Sequence, residues 1–205
     1  IDSERVSYCV TNVTSLKDNE TMVALATERY GGVDVFVANA GIEGEVKPIT
    51  EYDEAKFDQV IAVNVKGPFL GLKAAIPALE RRGGGSIIIT SSVAGVGGGA
   101  NVSAYVTSKH AVIGLMRSAA KECAAMNIRV NTVNPSPAET RMMRSLEEGF
   151  APGKAETMRA RMAAAIPLGR YAEPSDIANL MLFLASDDSA FITGSVYMID
   201  GGSTA

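Results

Sequence analysis

Short apolar runs alternate along the chain with longer stretches whose apolar residues recur every three or four positions. The short runs predict buried strands and the longer stretches amphipathic helices. Val6–Val10 reads as a strand. Asp18–Tyr30 reads as a helix, because Met22, Ala26 and Tyr30 share one face and Gly31-Gly32 stops it. Val33–Ala38 is almost wholly apolar, as expected of a parallel strand covered on both faces. Asp53–Leu79 is a long helical region interrupted at Gly67-Pro68 and at Pro77. A turn at Gly83-Gly84-Gly85 leads into the strand Ser86–Thr90. Ala104–Ala125 is helical, and Asn127 suits a left-handed cap after it. Arg129–Val133 is the next strand. Ala155–Ala165 and Ser175–Ala185 are helices, with Pro174 suited to the first turn of the second. Val196–Ile199 is a last short strand before Gly201-Gly202.

Strands alternating with helices predict an α/β fold with a doubly wound parallel sheet. There is no internal repeat and no second domain, so residues 1–205 form one domain. The stretch Pro135–Pro167 differs from its surroundings. It is rich in Met, Arg, Glu and Ala and is broken by Pro137, Pro152 and Gly153. It predicts a substrate lid over about 135–167, with a plain surface helix pair as the alternative.

Hydrophobic residues make up 47% of the chain, enough for a sizeable core. The formal charge is −4 and no stretch is strongly basic, which argues against a nucleic-acid partner. Cys9 and Cys123 form no CxxC pair, and with a single His no Cys/His zinc site can be assembled, so no metal is expected. Both cysteines lie in apolar contexts and read as buried free thiols. No signal peptide heads the chain and no apolar run is long enough to span a bilayer. A cytoplasmic protein with no membrane partner is the expectation.

The run from Ser92 to Lys109 carries the chemistry. Tyr105 and Lys109 are four residues apart and share a helix face, so the ammonium can sit near the phenol. A free Tyr has a pKa of about 10, too high for a base at neutral pH, and a nearby cation lowers it. Ser92, thirteen residues upstream, can hold a substrate oxygen beside the phenol. A proton then moves while a hydride passes to or from a cofactor.

The spacing alone is weak, because Tyr52-Asp53-Glu54-Ala55-Lys56 has it too. That copy lies among charges with no strand or hydroxyl cluster before it and reads as a solvated face. Gly95-Val96-Gly97-Gly98-Gly99-Ala100 fits a dinucleotide fingerprint in letters. Ser91–Ala94 separate it from its strand and no acidic residue ends a second strand downstream, so a flexible substrate-side loop is the better reading. His110 points off the Lys109 face and is structural or on the surface.

Together these residues resemble the short-chain dehydrogenase/reductase family over essentially the whole chain. Ala38-Asn39-Ala40-Gly41 resembles its Asn-Asn-Ala-Gly motif, and Asn64 its helix asparagine. Ser92, Tyr105 and Lys109 complete the catalytic tetrad with Asn64. Asn134-Pro135-Ser136-Pro137-Ala138-Glu139-Thr140 resembles its Asn-Pro-Gly-x-x-x-Thr segment, and Asp200-Gly201-Gly202 its C-terminal signature. The departures are Ser136 for Gly, Ala138 for a β-branched residue, Asn12 where Asp often caps the adenine, and Ala38 for the first Asn.

The resemblance implies a Rossmann-like catalytic domain that interconverts a secondary alcohol and a ketone with NAD or NADP. In it Tyr105 is the acid/base, Ser92 orients the substrate, Lys109 lowers the tyrosine pKa and holds the nicotinamide ribose, and Asn64 keeps a water in a proton relay. Asn12, Val13, Asn39, Ala40 and Gly41 would bind the adenosine side of the cofactor. Pro135, Ser136, Ala138 and Thr140 would meet the nicotinamide, with Thr140 on the carboxamide. Family members begin with two βα units, each about 30 residues, that have no counterpart here; they are expected upstream of Ile1. In the family's sheet their strands lie between Val6–Val10 and Val33–Ala38. A homotetramer or homodimer through the two long helices is also implied. A cyclic or hydrophobic ketone suits Met142, Met143, Leu146 and Phe150 in the lid. The alternatives are a 3-oxoacyl-(acyl carrier) reductase and a non-catalytic, oligomerising fragment.

Overall fold

The structure, a computed structural model, describes residues 5–205. Among these residues four strands form one sheet in chain order: β1 (Val35–Ala38), β2 (Gly85–Thr90), β3 (Ile128–Pro135) and β4 (Val196–Ile199). Every neighbouring pair is parallel, with Phe36 opposite Ile87, Ile87 opposite Val130, and Asn134 opposite Met198. Among the described residues seven α-helices accompany the strands: α1 (Leu16–Tyr30), α2 (Glu54–Ile61), α3 (Gly67–Arg82), α4 (Ser103–Cys123), α5 (Arg141–Phe150), α6 (Ala155–Ala164) and α7 (Pro174–Ala185).

Alternation along β2 sorts the core. Ile87 and Ile89 face one side of the sheet, where Val23 of α1, Leu72 and Leu79 of α3, and Val112 and Met116 of α4 cover them. Ile88 faces the other side and packs with Val133 of β3 and Leu184 of α7. Helices on both faces of a parallel sheet explain why β2 and β3 are buried along almost their whole length, polar positions included. This is the doubly wound α/β arrangement the sequence predicts.

Local signals set the helix ends. The Ser15 hydroxyl accepts the Asp18 N–H at 3.3 Å and opens α1, and Gly31 closes it in the left-handed region at φ 79°. A short 3-10 turn follows α4, and Asn127 ends it at φ 57°, as the sequence suggests.

Four expectations are corrected. Val6–Val10 is not a strand: Tyr8 is 92% and Val10 96% exposed. A parallel strand takes its hydrogen bonds from neighbours, and among the described residues none pairs with this segment; β1 is itself an edge, with Val35 and Val37 partly exposed. Cys9 lies in that segment and is exposed rather than buried, whereas Cys123 is buried. Pro77 does not interrupt α3. It is on the solvent side, as is Lys73, whose carbonyl loses its i+4 donor there and can turn to water. Finally, α2, a π turn at Ala62–Lys66 and α3 join into Glu54–Arg82, which by length and composition suffices to cross a membrane. Its apolar side is instead packed in the core through Leu72, Ala75, Ala78 and Leu79.

Candidate active site

The C-terminal ends of β1, β2 and β3 open onto one cavity of about 780 Å³. This is where open parallel sheets bind ligands. Asn39, Ala40 and Gly41 follow β1, Ser91 and Ser92 follow β2, and Pro135 and Ser136 end β3, so chain direction alone gathers them on one rim. Tyr105 and Lys109 come from the first two turns of α4, and α5, α6 and α7 close the remaining wall.

Lys109 is buried, and its Nζ donates to the Thr90 carbonyl at 2.9 Å. The same nitrogen stands 5.4 Å from the centre of the Tyr105 ring. Burial lowers its pKa to about 8. Burial also raises the pKa of the Tyr105 phenol; a hydrogen bond with Ser92 opposes the rise and the Glu43 carboxylate adds to it. The expectation that Lys109 brings the phenol down is therefore not met in this structure. The ammonium lies over the ring, and burial is the largest influence on the phenol. Ser92 Oγ accepts the Ala94 N–H at 3.1 Å and donates to the Pro135 carbonyl at 3.4 Å, which ties it between the loop after β2 and the end of β3.

Asn64 sits behind this pair, fully buried in the π turn. Its Oδ1 accepts the Ile42 N–H at 2.8 Å, and its Nδ2 donates to the Ile42 carbonyl at 2.8 Å and to Ser108 Oγ at 3.0 Å. One side chain thus ties the loop after β1 to α4. Its own carbonyl cannot receive the regular i+4 bond, because Pro68 has no N–H.

Asn39, Ala40, Gly41, Ser92, Tyr105, Lys109, Pro135, Ser136, Ala138 and Thr140 all line the cavity, and Asn64 backs it. Asn12 and Val13 do not line it. Asn12 Oδ1 accepts the Thr14 N–H at 3.0 Å and its own N–H goes to Asp18, so it shapes the turn before α1. Val13 lines a groove of about 410 Å³ between α1 and β1 that adjoins the cavity along Val37, Asn39 and Ala40. The Thr140 hydroxyl caps α5 by accepting the Met143 N–H at 3.4 Å. The second Tyr-x-x-x-Lys copy is structural: the Tyr52 hydroxyl accepts the Glu45 N–H at 2.9 Å, and Lys56 is exposed. His110 is exposed with Nδ1 on the Val106 carbonyl. Gly95 lies against the Lys109 carbonyl and Ile113, so it is a point of close packing on α4.

Sequence reasoning missed Ser108, whose hydroxyl meets Asn64 and the Tyr105 carbonyl; its place one step before Lys109 was the available signal. It also missed Asn134 as a support for Ser92, since Nδ2 donates to the Ser92 carbonyl at 3.1 Å. Nothing in the letters marks Glu43, whose carboxylate acts on the Tyr105 phenol, or the α7 residues Ile177 and Met181, which topology alone brings to the cavity.

The rim suits the sugar of a nicotinamide nucleotide. A Cβ on Gly41 would stand 3.4 Å from Asn64 Oδ1 and 3.6 Å from Lys109 Nζ, so the bare glycine keeps the space beside the ammonium open. Nζ has further protons beyond the one given to Thr90, which suits a diol. The fit is drawn at the ribose beside Gly41 and Lys109, among the described residues.

A family model described as enoyl-(acyl carrier protein) reductase matches residues 1–204. The chain is 35% identical to levodione reductase of Leifsonia aquatica over 199 residues, covering 96% of this chain and 74% of that one. It is 42% identical to trans-4-hydroxycyclohexanecarboxylate dehydrogenase of Sinomonas cyclohexanicum over 196 residues, covering 95% and 69%. The crystal structure of levodione reductase superposes with a TM-score of 0.92 over 95% of this chain and 75% of that one. An NAD⁺-bound xylitol dehydrogenase superposes with a TM-score of 0.88 at 32% identity, over 95% and 78%.

Proposed function

Since the chain belongs to the short-chain dehydrogenase/reductase family, we propose that this oxidoreductase interconverts a neutral, hydrophobic secondary alcohol and its ketone with NAD or NADP. The observation that carries the reading is the meeting of Ser92, Tyr105 and Lys109 in one cavity whose far wall is apolar. Met142, Met143, Leu146 and Phe150 of α5 and Met162 of α6 supply that wall, and Lys109 is the one charged side chain of the lining. The cofactor, when bound, supplies or accepts the hydride.

The residues divide the rest of the work. Ser92 holds the substrate oxygen against the Tyr105 hydroxyl, and the phenol gives that oxygen a proton or takes one from it. Lys109 keeps its charge beside the ring and offers its spare protons to the nicotinamide ribose. Asn64 holds the loop after β1 in register with α4, and its carbonyl is open to a donor other than Pro68. Pro135, Ser136, Ala138 and Thr140 form the edge on the nicotinamide side. Asn39, Ala40 and Gly41 continue the cofactor track, with Asn12 and Val13 beyond it toward the adenosine. The α5–α6 pair acts as the lid. The exposed Phe69 on α3 supports a homotetramer or homodimer through the long helices.

The test follows nicotinamide absorbance with a panel of cyclohexanones, acyclic ketones, sugars and 3-oxoacyl thioesters. Turnover of the neutral cyclic ketones ahead of the sugars and thioesters is expected. Preference for a 3-oxoacyl thioester would move the reading to the acyl-carrier class. No turnover and no cofactor binding would refute it.

A further inference from the structure

Behind the apolar wall lies a cluster of charged side chains that the proposed reaction does not use. Glu139 stands between Ala138 and Thr140, both on the cavity rim. Its carboxylate pairs with Arg144 of α5 at 3.0 Å and with Arg159 of α6. Arg144 also reaches Glu147, at 3.1 Å, and that carboxylate is 1% exposed. The two guanidinium carbons lie 5.7 and 5.9 Å from the centre of the Tyr171 ring, which is 3% exposed. Backbone bonds complete the junction. The Glu139 N–H donates to the Ala172 carbonyl at 2.9 Å, and the Ala172 N–H to the Pro137 carbonyl at 3.0 Å.

Such a cluster is a poor way to gain stability: the side chains of Glu139, Arg144 and Arg159 are 27%, 38% and 41% exposed, where ion pairs add little, while the buried Glu147 carboxylate gives up its hydration. Four of the seven buried side-chain polar atoms without a hydrogen-bond partner, among the described residues, belong to it: both oxygens of Glu147, Arg159 Nε and the Tyr171 hydroxyl. What ion pairs supply is direction. Arg144 and Arg159 leave different helices and converge on one carboxylate, which fixes α5 and α6 relative to residue 139. Met143, Leu146 and Met162 pack beside Tyr171 and also line the cavity. A movement of Glu139 is therefore a movement of the substrate wall.

We propose that Glu139 is a positioning residue that couples the cofactor edge Pro135–Thr140 to the substrate wall formed by α5 and α6. The proposal rests on the oxidoreductase reading given above. It requires that cofactor binding tightens substrate binding through Glu139, and by linkage the reverse. It also makes wall position, rather than any contact of Glu139 with substrate, the source of selectivity for bulky ketones.

The test compares wild type with Glu139→Gln, Arg159→Ala and the control Glu156→Gln, whose carboxylate is exposed and only 4.0 Å-paired with Arg159. Two readouts are taken. The first is the affinity of an unreactive cyclic alcohol analogue with and without NAD⁺ or NADP⁺. The second is amide hydrogen exchange over α5, α6 and Pro135–Thr140 under the same conditions. In wild type the cofactor is expected to strengthen the analogue about fivefold or more and to slow exchange in α5 and α6. Glu139→Gln and Arg159→Ala should lose both effects, Glu156→Gln neither. In turnover, the two variants should raise KM for a bulky ketone while kcat for a small one changes little. Cofactor-linked protection of α5 and α6 that survives Glu139→Gln overturns the coupling. If wild type turns over no ketone yet the exchange result holds, the oxidoreductase reading fails and the coupling stands.

Discussion

Lys109 carries an ammonium into a place where 5% of the residue meets solvent, with the Thr90 carbonyl as its protein acceptor at 2.9 Å. Burial brings its pKa from an ordinary 10.5 to about 8. Each unit of pKa is worth about 1.4 kcal/mol, so holding the charge costs the folded protein about 3 kcal/mol. The sign fixes the pH window. Below about pH 8 the group is protonated in both states and the folded state bears the full cost. Between about 8 and 10.5 the folded protein has released the proton while the unfolded chain keeps it, so stability rises with pH. Lys109→Met keeps the length of the side chain and removes the charge, but leaves the Thr90 carbonyl unpaired at a cost of about 1 kcal/mol. The variant is expected to be inactive yet more stable by about 2 kcal/mol at neutral pH, or about 4–8 °C in Tm for a domain of this size. By about pH 10 the difference should nearly vanish. Urea unfolding followed by far-ultraviolet circular dichroism at both pH values measures it. A variant less stable than wild type at neutral pH, or a difference that does not shrink at high pH, would refute the reasoning.

Gly95→Ala brings a Cβ to 2.8 Å from the Lys109 carbonyl and 2.9 Å from Ile113, and should cost about 1–3 kcal/mol in thermal unfolding. Asn64→Ala strips Ile42 and Ser108 of their partner; a loss of about 2 kcal/mol and weaker cofactor binding are expected, measured by urea titration and by fluorescence of the reduced nicotinamide. Tyr52→Phe removes the acceptor of the Glu45 N–H, costing about 1 kcal/mol, and should leave turnover intact although it shares the Tyr-x-x-x-Lys spacing.

What the letters reveal and what they hide separate on physical grounds. The strand β2 is legible because both its faces are covered, so Ile87, Ile88 and Ile89 run together, and β3 is legible from Ile128, Val130 and Val133. Gly31 and Asn127 are legible because their left-handed backbone restricts residue type. Ser92, Tyr105 and Lys109 are legible because a strand, a loop and one helix turn bring them together over a short stretch. Val6–Val10 has the composition of a strand, but strand formation depends on a neighbour that composition does not supply. The helix α5 shows an apolar face in its letters at Met142, Met143, Leu146 and Phe150, but not that Arg144 and Glu147 enter a partly buried charge cluster, which only the fold assembles. The direction of the Tyr105 pKa escapes the letters as well. Spacing puts a cation near the phenol, but only the fold buries the phenol and so raises its pKa.

The central claim is that the Tyr105 hydroxyl moves the proton while the cofactor moves the hydride. Tyr105→Phe, assayed for ketone reduction with cofactor binding measured in the same sample, tests it most directly. The rate is expected to fall by a factor on the order of 10²–10⁴ while the cofactor still binds. A variant that binds the cofactor and keeps most of the wild-type rate would contradict it.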